Sequence, residues 1–382
     1  MKKWLVVILM AAVAALAAAP LAQGAEPYKI GCVFSITGPA SFLGEPEKNS
    51  ALMFQELVNK AGGINGNPVE VIIYDTEGDA TKTNLMVKRL IQKDNVLAVV
   101  GPSQTGTSLA VVPVAEQLQT PLISCAAGIQ IVEPVKKWVF KTPQSDRSAV
   151  MAIYTHMKKK GLTKAAFLTV STGFGASGRV ELKNLAPKYG IQIMADELFG
   201  PKDTDMTAQL TKIRGTDAQV IIGWTIGPTQ VVVLKNWKQL GMDQKFRFYQ
   251  SHGFGSKRNI EMAGGAAEGV YSPLGRVVVA EILPEGNPQK KFCLDYKKIY
   301  EGAFKAELST FGGHAWDALY MMKMALEAVG PDKAKIRDYL ETIKGFAGTG
   351  GVFNMSPTDH NGLDENAFEM IVVKNGAWAL AD

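Results

Sequence analysis

An α/β protein with two doubly wound, parallel-sheet lobes is the fold predicted by the 382-residue sequence. Three observations predict it. Short continuous apolar runs alternate with stretches of helical periodicity, eight such units follow one another, and the pattern turns mainly helical only after Asn287. Continuous apolar runs of this kind suit strands covered by helices on both faces, and their alternation with helices implies right-handed βαβ units.

The first 24 residues stand apart. Lys2-Lys3 precedes the apolar run Trp4–Ala19, and small residues follow at Ala22 and Gly24. This is the order of a secretory signal peptide, so residues 1–24 are expected to be removed near Gly24 or Ala25. No cysteine follows the apolar run to carry a lipid, and no later segment reaches the ~18 apolar residues of a membrane span. The expected compartment is the periplasm.

The mature chain opens with an apolar strand, Ile30-Gly-Cys-Val-Phe-Ser35, and a loop to Gly44. Phe54, Leu57, Val58 and Ala61 then mark one helix face, closed by Gly62-Gly63. A strand at Val69–Asp75 and a helix carrying Thr83, Val87, Leu90 and Ile91 come next. Strand Val96–Val100 leads through Gly101–Gly106 into a helix, and strand Pro121–Cys125 follows. In the second half, helices Ser145–Lys160, 175–188, 204–214 and 228–240 precede strands Ala165–Val170, Ile191–Phe199, Gln219–Trp224 and Phe246–Ser251 in alternation. Asn287–Phe304, Thr310–Val329 and Asp332–Lys344 read as helices. The chain ends in a hairpin whose turn is Asn375-Gly376, a strong two-residue turn signal.

Composition bounds the chemistry. Hydrophobic residues make up 47% and charged residues 20%, which excludes a disordered or fibrous chain. Removing Lys2 and Lys3 leaves 39 basic against 36 acidic residues, too small an excess to argue for nucleic acid. Three cysteines without a C-x-x-C, and four histidines without H-E-x-x-H spacing, offer no metal or redox motif. Cys32 and Cys125 read as core residues, Cys293 as a buried helical one. No G-x-S-x-G elbow is present. His314-Ala-Trp-Asp317 reads as a capped or hydrogen-bonded packing site, Asp359–Gly362 as a turn, and Lys158–Lys160 as a helix C-terminus.

One motif points elsewhere. Gly173-Phe-Gly-Ala-Ser-Gly178 reads G-x-G-x-x-G, with Asp196 some twenty residues on, as in a dinucleotide-binding turn. An NAD(P)-binding enzyme is therefore one reading. The preferred one is a loop with glycines at positive φ that turns Phe174 out of the strand end.

In open parallel sheets, ligands bind beyond the carboxyl ends of the strands. Those ends hold Phe42 and Leu43, Ser103-Gln104-Thr105, and Ala126-Ala127-Gly128 in the first half. In the second they hold Phe174, Trp224-Thr225-Ile226 and His252. Ser103 and Thr105 stand at a helix N-terminus, where free N–H groups suit a carboxylate. Phe42, Leu43, Phe174, Trp224 and Ile226 would enclose an apolar body. No pair of catalytic carboxylates and no nucleophile with its base stand out, so binding is favoured over catalysis, with no cofactor and no metal.

The chain resembles the branched-chain amino-acid-binding proteins of bacterial ABC importers, with the type I periplasmic binding fold. The resemblance rests on Ile36-Thr-Gly-Pro-Ala-Ser-Phe-Leu-Gly44, Ala61-Gly-Gly-Ile-Asn-Gly66, Tyr74-Asp75, Val100-Gly-Pro102, Pro121-Leu-Ile-Ser124, Gly173-Phe-Gly175 and Gly348-Thr-Gly-Gly351. It implies two lobes joined by three hinge crossings near Pro143, Pro273 and Gly351. Residues 25–143 and 274–350 would then form the first lobe, and 144–273 and 351–382 the second. It also implies a membrane permease as partner, with the ATPase subunit engaged only indirectly. By the same resemblance Thr105 holds the ligand carboxylate, Ala126 contributes backbone, and Phe174 replaces a usual tyrosine. Gly128 stands where a threonine is usual, and Ile226 falls at a usual aromatic. His252 stands where an acidic residue pairs with the ligand ammonium. A buried ammonium needs an anionic partner, which histidine cannot supply. The expected ligand is therefore a small apolar or aromatic carboxylate. A hydrophobic amino acid is the alternative, with Glu45 or Glu77 as a substitute partner. A sensor that docks on a membrane receptor fits the same residues, and His252 also admits a purely structural role.

Overall fold

The computed structural model describes residues 25–382; the expected signal peptide lies outside them. Strands β1 (Tyr28–Phe34), β2 (Val69–Asp75), β3 (Ala98–Val100), β4 (Leu122–Ser124) and β5 (Val139–Lys141) form one sheet in the order β2-β1-β3-β4-β5, every pair parallel. A second sheet holds β6 (Lys164–Val170), β7 (Gln192–Phe199), β8 (Val220–Trp224), β9 (Arg247–Gln250), β10 (Tyr271–Gly275), β13 (Phe368–Lys374) and β14 (Ala377–Leu380). Its order is β14-β13-β10-β9-β8-β6-β7. The pairs through β6 to β10 are parallel; β13 runs antiparallel to both β10 and β14. Between β10 and β13 lies a small hairpin, β11 (Lys344–Ala347) with β12 (Val352–Asn354).

The lobes are larger than four strands each because β5, β10 and β13 complete the sheets. β5 and β10 were not expected as strands: each is short, and Pro273 interrupts the second. Strand cores are fully buried, Ile30, Cys32, Val33 and Phe34 on one sheet and Ala166, Phe167 and Leu168 on the other. The expected hairpin forms, with Lys374 opposite Ala377 and both turn residues left-handed, Asn375 at φ 54° and Gly376 at φ 72°.

Helix Ser145–Lys160 was expected and is found at Asp146–Lys159, capped by Ser145, whose hydroxyl accepts from Ser148 N at 3.0 Å. The first helix begins earlier than expected, at Ser41, so Phe42 and Leu43 belong to its first turn. Gly44 permits this start, since a Cβ there would lie 2.3 Å from the Ser35 carbonyl.

Helices Lys290–Phe304, Thr310–Val329 and Lys333–Leu340 share a core with β1 and β3. Phe353 and Met355 join that same core, and His360 stacks on Phe140 with ring centroids 4.1 Å apart. The third passage between sheets therefore lies at residues 362–367, not near Gly351. The reason is local: Asp317, on the long helix, accepts from Thr349 N (2.8 Å) and Gly350 N (2.7 Å) and pins that turn to the first lobe.

Candidate functional site

The carboxyl ends of both sheets face a cavity of about 470 Å³. The first lobe lines it with Phe42 and Leu43, with Ser103, Gln104 and Thr105, and with Ala126 and Ala127. The second contributes Phe174, Ile226 and His252. Three expected residues stand behind the wall. Trp224 is fully buried, its ring 6.0 Å from that of Phe174. Thr225 is also buried, and its hydroxyl bonds that of Thr229 at 2.7 Å; Thr229 reaches the cavity in its place. Gly128 donates its N–H to Thr105 Oγ1 at 3.2 Å. A Cβ at 128 would sit 2.4 Å from Thr105 Cγ2, so the threonine usual in the resembled family does not fit here.

Thr105 opens the helix Thr105–Gln117, and its N-cap, Gln104, makes no side-chain cap bond. The first-turn N–H groups and the positive helix end stay open to an anion. Because Thr105 Oγ1 already accepts from Gly128, its own proton is free to point to a ligand oxygen. Across the cleft the helix Gly173–Tyr189 begins, and a Cβ on Gly173 would come within 2.9 Å of Gly106 N. Two helix N-termini thus meet at backbone distance on one side of the cavity, a donor-rich corner suited to a carboxylate.

The glycines of Gly173–Gly178 are not at positive φ, contrary to expectation; they lie inside the helix. They serve close packing. A Cβ on Gly175 would meet the Val170 carbonyl oxygen at 1.7 Å, and one on Gly178 would meet Trp224 Nε1 at 1.9 Å. Asp196, the acid that a dinucleotide fingerprint reserves for a ribose, is gripped by Arg179 through two bonds of 2.7 Å, and Lys183 pairs with it too. Neither feature supports the dinucleotide reading.

His252 is edge-on to three aromatic rings: Phe174 at 5.4 Å, Phe368 at 5.6 Å and Trp224 at 5.7 Å between centroids. Burial, then the charges of Lys141 and His314, push its pKa down to about 3, so the ring is neutral. His314 is also pushed down to about 3, by burial and Lys141. Among the described residues, neither ring nitrogen of His252, nor Nδ1 of His314, has a hydrogen-bond partner.

His314 was expected to be a satisfied packing residue, and the structure corrects this: it lines the cavity. Asp317, its partner in that motif, does match the expectation, with three bonds from the Thr349–Gly350 turn. Phe311, Thr310, Gln144 and Phe368 also line the cavity and were not foreseen. Phe311 meets Phe42 edge-on at 5.8 Å. Thr310 and Phe311 come from a distant helix and Phe368 from the antiparallel strand β13, which the local sequence pattern does not tie to the strand ends; Gln144 follows β5, a strand that was not expected.

Among the described residues, no aspartate, glutamate, lysine or arginine lines the cavity. Glu45 is exposed, and Glu77 is paired with Lys82 at 2.5 Å. Glu47 is buried behind Ser103 and hydrogen-bonded to it; burial holds its pKa well above the usual carboxylate range.

Comparison with known proteins agrees with this architecture. A family model described as "Periplasmic binding protein" matches residues 27–377. The leucine-, isoleucine-, valine-, threonine-, and alanine-binding protein of Pseudomonas aeruginosa is 27% identical over 365 residues, covering 94% of this chain and 91% of that protein. An extracellular ligand-binding receptor from Rhodopseudomonas palustris HaA2 superposes with a TM-score of 0.86 at 29% identity, covering 94% of this chain and all of that one. A branched-chain amino acid transporter substrate-binding protein from Streptococcus pneumoniae, solved with isoleucine, shares the fold at a TM-score of 0.82 and 23% identity, with 94% and 99% of the two chains covered. The match over residues 27–377, on two α/β lobes with a cavity at their strand ends, makes this chain a member of the periplasmic binding protein family.

Proposed function

We propose that this protein is the extracytoplasmic receptor of an ABC importer and that it captures a small apolar or aromatic carboxylate for delivery to a membrane permease. The observation that carries the ligand class is a cavity whose wall joins aromatic and aliphatic side chains to uncharged polar ones and two neutral histidines, with no charged side chain among the described lining residues. A zwitterionic amino acid would leave its ammonium without a counter-charge there, which costs several kcal/mol. A carboxylate alone meets the donor-rich corner at Thr105 and Gly173. Phe42, Phe174, Phe311 and Phe368 then supply the surface for an apolar body. Micromolar capture needs about 8 kcal/mol, within reach of apolar burial plus charge-assisted hydrogen bonds.

A hydrophobic amino acid is the second reading, favoured by the name of the Pseudomonas relative, a leucine-, isoleucine-, valine-, threonine-, and alanine-binding protein. Thermal-shift and calorimetric titrations separate the two. Phenylacetate, benzoate and hexanoate should raise the melting temperature, since a ligand of the native state stabilises it by mass action. Leucine, isoleucine and valine should not. A shift with leucine and none with the simple acids would replace the first reading by the second.

A further inference from the structure

Behind His252, and outside the cavity lining, lies a carboxylate that the site as described does not use. Asp146 is the first residue of the helix Asp146–Lys159 and is fully buried. Its Oδ1 is 3.7 Å from His252 Nε2. Among the described residues, both oxygens of Asp146, both ring nitrogens of His252, and Nε1 of Trp224 lack a hydrogen-bond partner. These groups are chemically complementary. Trp224 Nε1–H can only donate, and an ionised carboxylate can only accept. Orphaned buried polar groups are rare and costly, and here they are gathered around one carboxylate.

We propose that Asp146 is a positioning residue for His252: it accepts the Nε2 proton and so fixes the tautomer and the orientation of the ring on the cavity wall.

Burial is the largest influence on Asp146 and lifts its pKa to about 7, and Glu181 adds to this, although Arg147 pairs with Glu181 at 3.0 Å. Against this stand Ser177, Lys141 and Trp224, each of which favours the ionised form, and the positive end of the helix. His252 faces Lys141 and His314, which both oppose a charge on the imidazole. An imidazole that must stay neutral beside a carboxylate donates to it through the nearer nitrogen and accepts at the other.

The test is the tautomer of His252, read by long-range ¹H–¹⁵N correlation on the histidine-labelled protein at mildly alkaline pH, above the range in which Asp146 titrates. Loss of signals in His252→Phe makes the assignment. The expected wild-type spectrum shows Nε2 protonated and Nδ1 bare. In Asp146→Asn, which keeps the shape, and in Asp146→Ser, which keeps a good helix start, the ring should move to a mixture or to the Nδ1–H form. An Nδ1–H ring in the wild type, or an unchanged Nε2–H ring in both variants, overturns the assignment.

Discussion

His314 shows how much a buried, uncharged ring costs when acid is added. Its pKa lies at about 3, lowered by burial and by Lys141, whereas in the unfolded chain it returns to about 6.5. Below pH 6.5 the unfolded state takes up a proton that the native state refuses, so stability falls as pH falls. The loss reaches about 2 kcal/mol by pH 5 and continues to about pH 3. Asp317 acts in the opposite sense. Burial lifts its pKa to about 7, so the native state binds a proton more readily than the unfolded state, and acidification through pH 7 stabilises the fold. The wild type therefore shows a muted pH dependence, and only a difference measurement exposes the histidine. We expect His314→Gln to lose about 2 kcal/mol less than wild type between pH 7 and pH 5 in urea unfolding. Parallel pH profiles for the two proteins would show that His314 is charged in the native state.

At the scale of elements, Gly178 fixes how the helix Gly173–Tyr189 lies on β8. Its missing side chain admits the Trp224 indole, and an added Cβ would fall 1.9 Å from Nε1. Trp224 is wedged between Phe174 and His252, so it cannot retreat without moving the cavity wall. Gly178→Ala should cost about 2–3 kcal/mol despite its better helix propensity, as overpacking does, and should lower the melting temperature. A stability equal to or above wild type would show that the indole yields. This is also where the sequence was hardest to read. The alternation of apolar runs and helices showed the βαβ units, and Asn375-Gly376 the terminal hairpin, because both leave a local period or turn chemistry. The spacing Gly173–Gly178 invited a phosphate-loop or left-handed-loop reading, since three glycines look alike whether they serve φ, a ligand or a tight packing contact. The strand-end rule located Phe42, Leu43, Thr105 and Ala126 on the cavity. Phe311, His314 and Phe368 enter it from elements more than a hundred residues away in sequence, so no local spacing announced them.

At the scale of the whole molecule, the passages between lobes are tied to one another. Lys141 is fully buried at the end of β5, where burial lowers its pKa, and its Nζ donates to the Pro143 carbonyl at 2.5 Å. Asn361, just before the third passage, donates to the carbonyls of Lys141 (3.3 Å) and Pro143 (2.9 Å), and Gln144 donates to Gly350 (2.6 Å) and to Ala367 (3.3 Å), the last residue of that passage. Such a network turns the first and third passages into one joint, so the lobes should rotate as two bodies about it. Each lobe owns its sheet and core, which means that a wedge at the cleft should spoil closure without unfolding either lobe. Gly173 is the place for it, because its Cα faces Gly106 across the cleft with no room for a Cβ beyond 2.9 Å from Gly106 N. Gly173→Val should keep the unliganded melting temperature within a few degrees of wild type. It should weaken ligand binding at least about tenfold, because closure can no longer bring the second helix N-terminus to the carboxylate. Small-angle scattering in the presence of ligand should give a larger radius of gyration for the variant than for wild type. If the variant contracts and binds as wild type does, the lobes meet elsewhere, and the paired helix ends do not form the carboxylate corner.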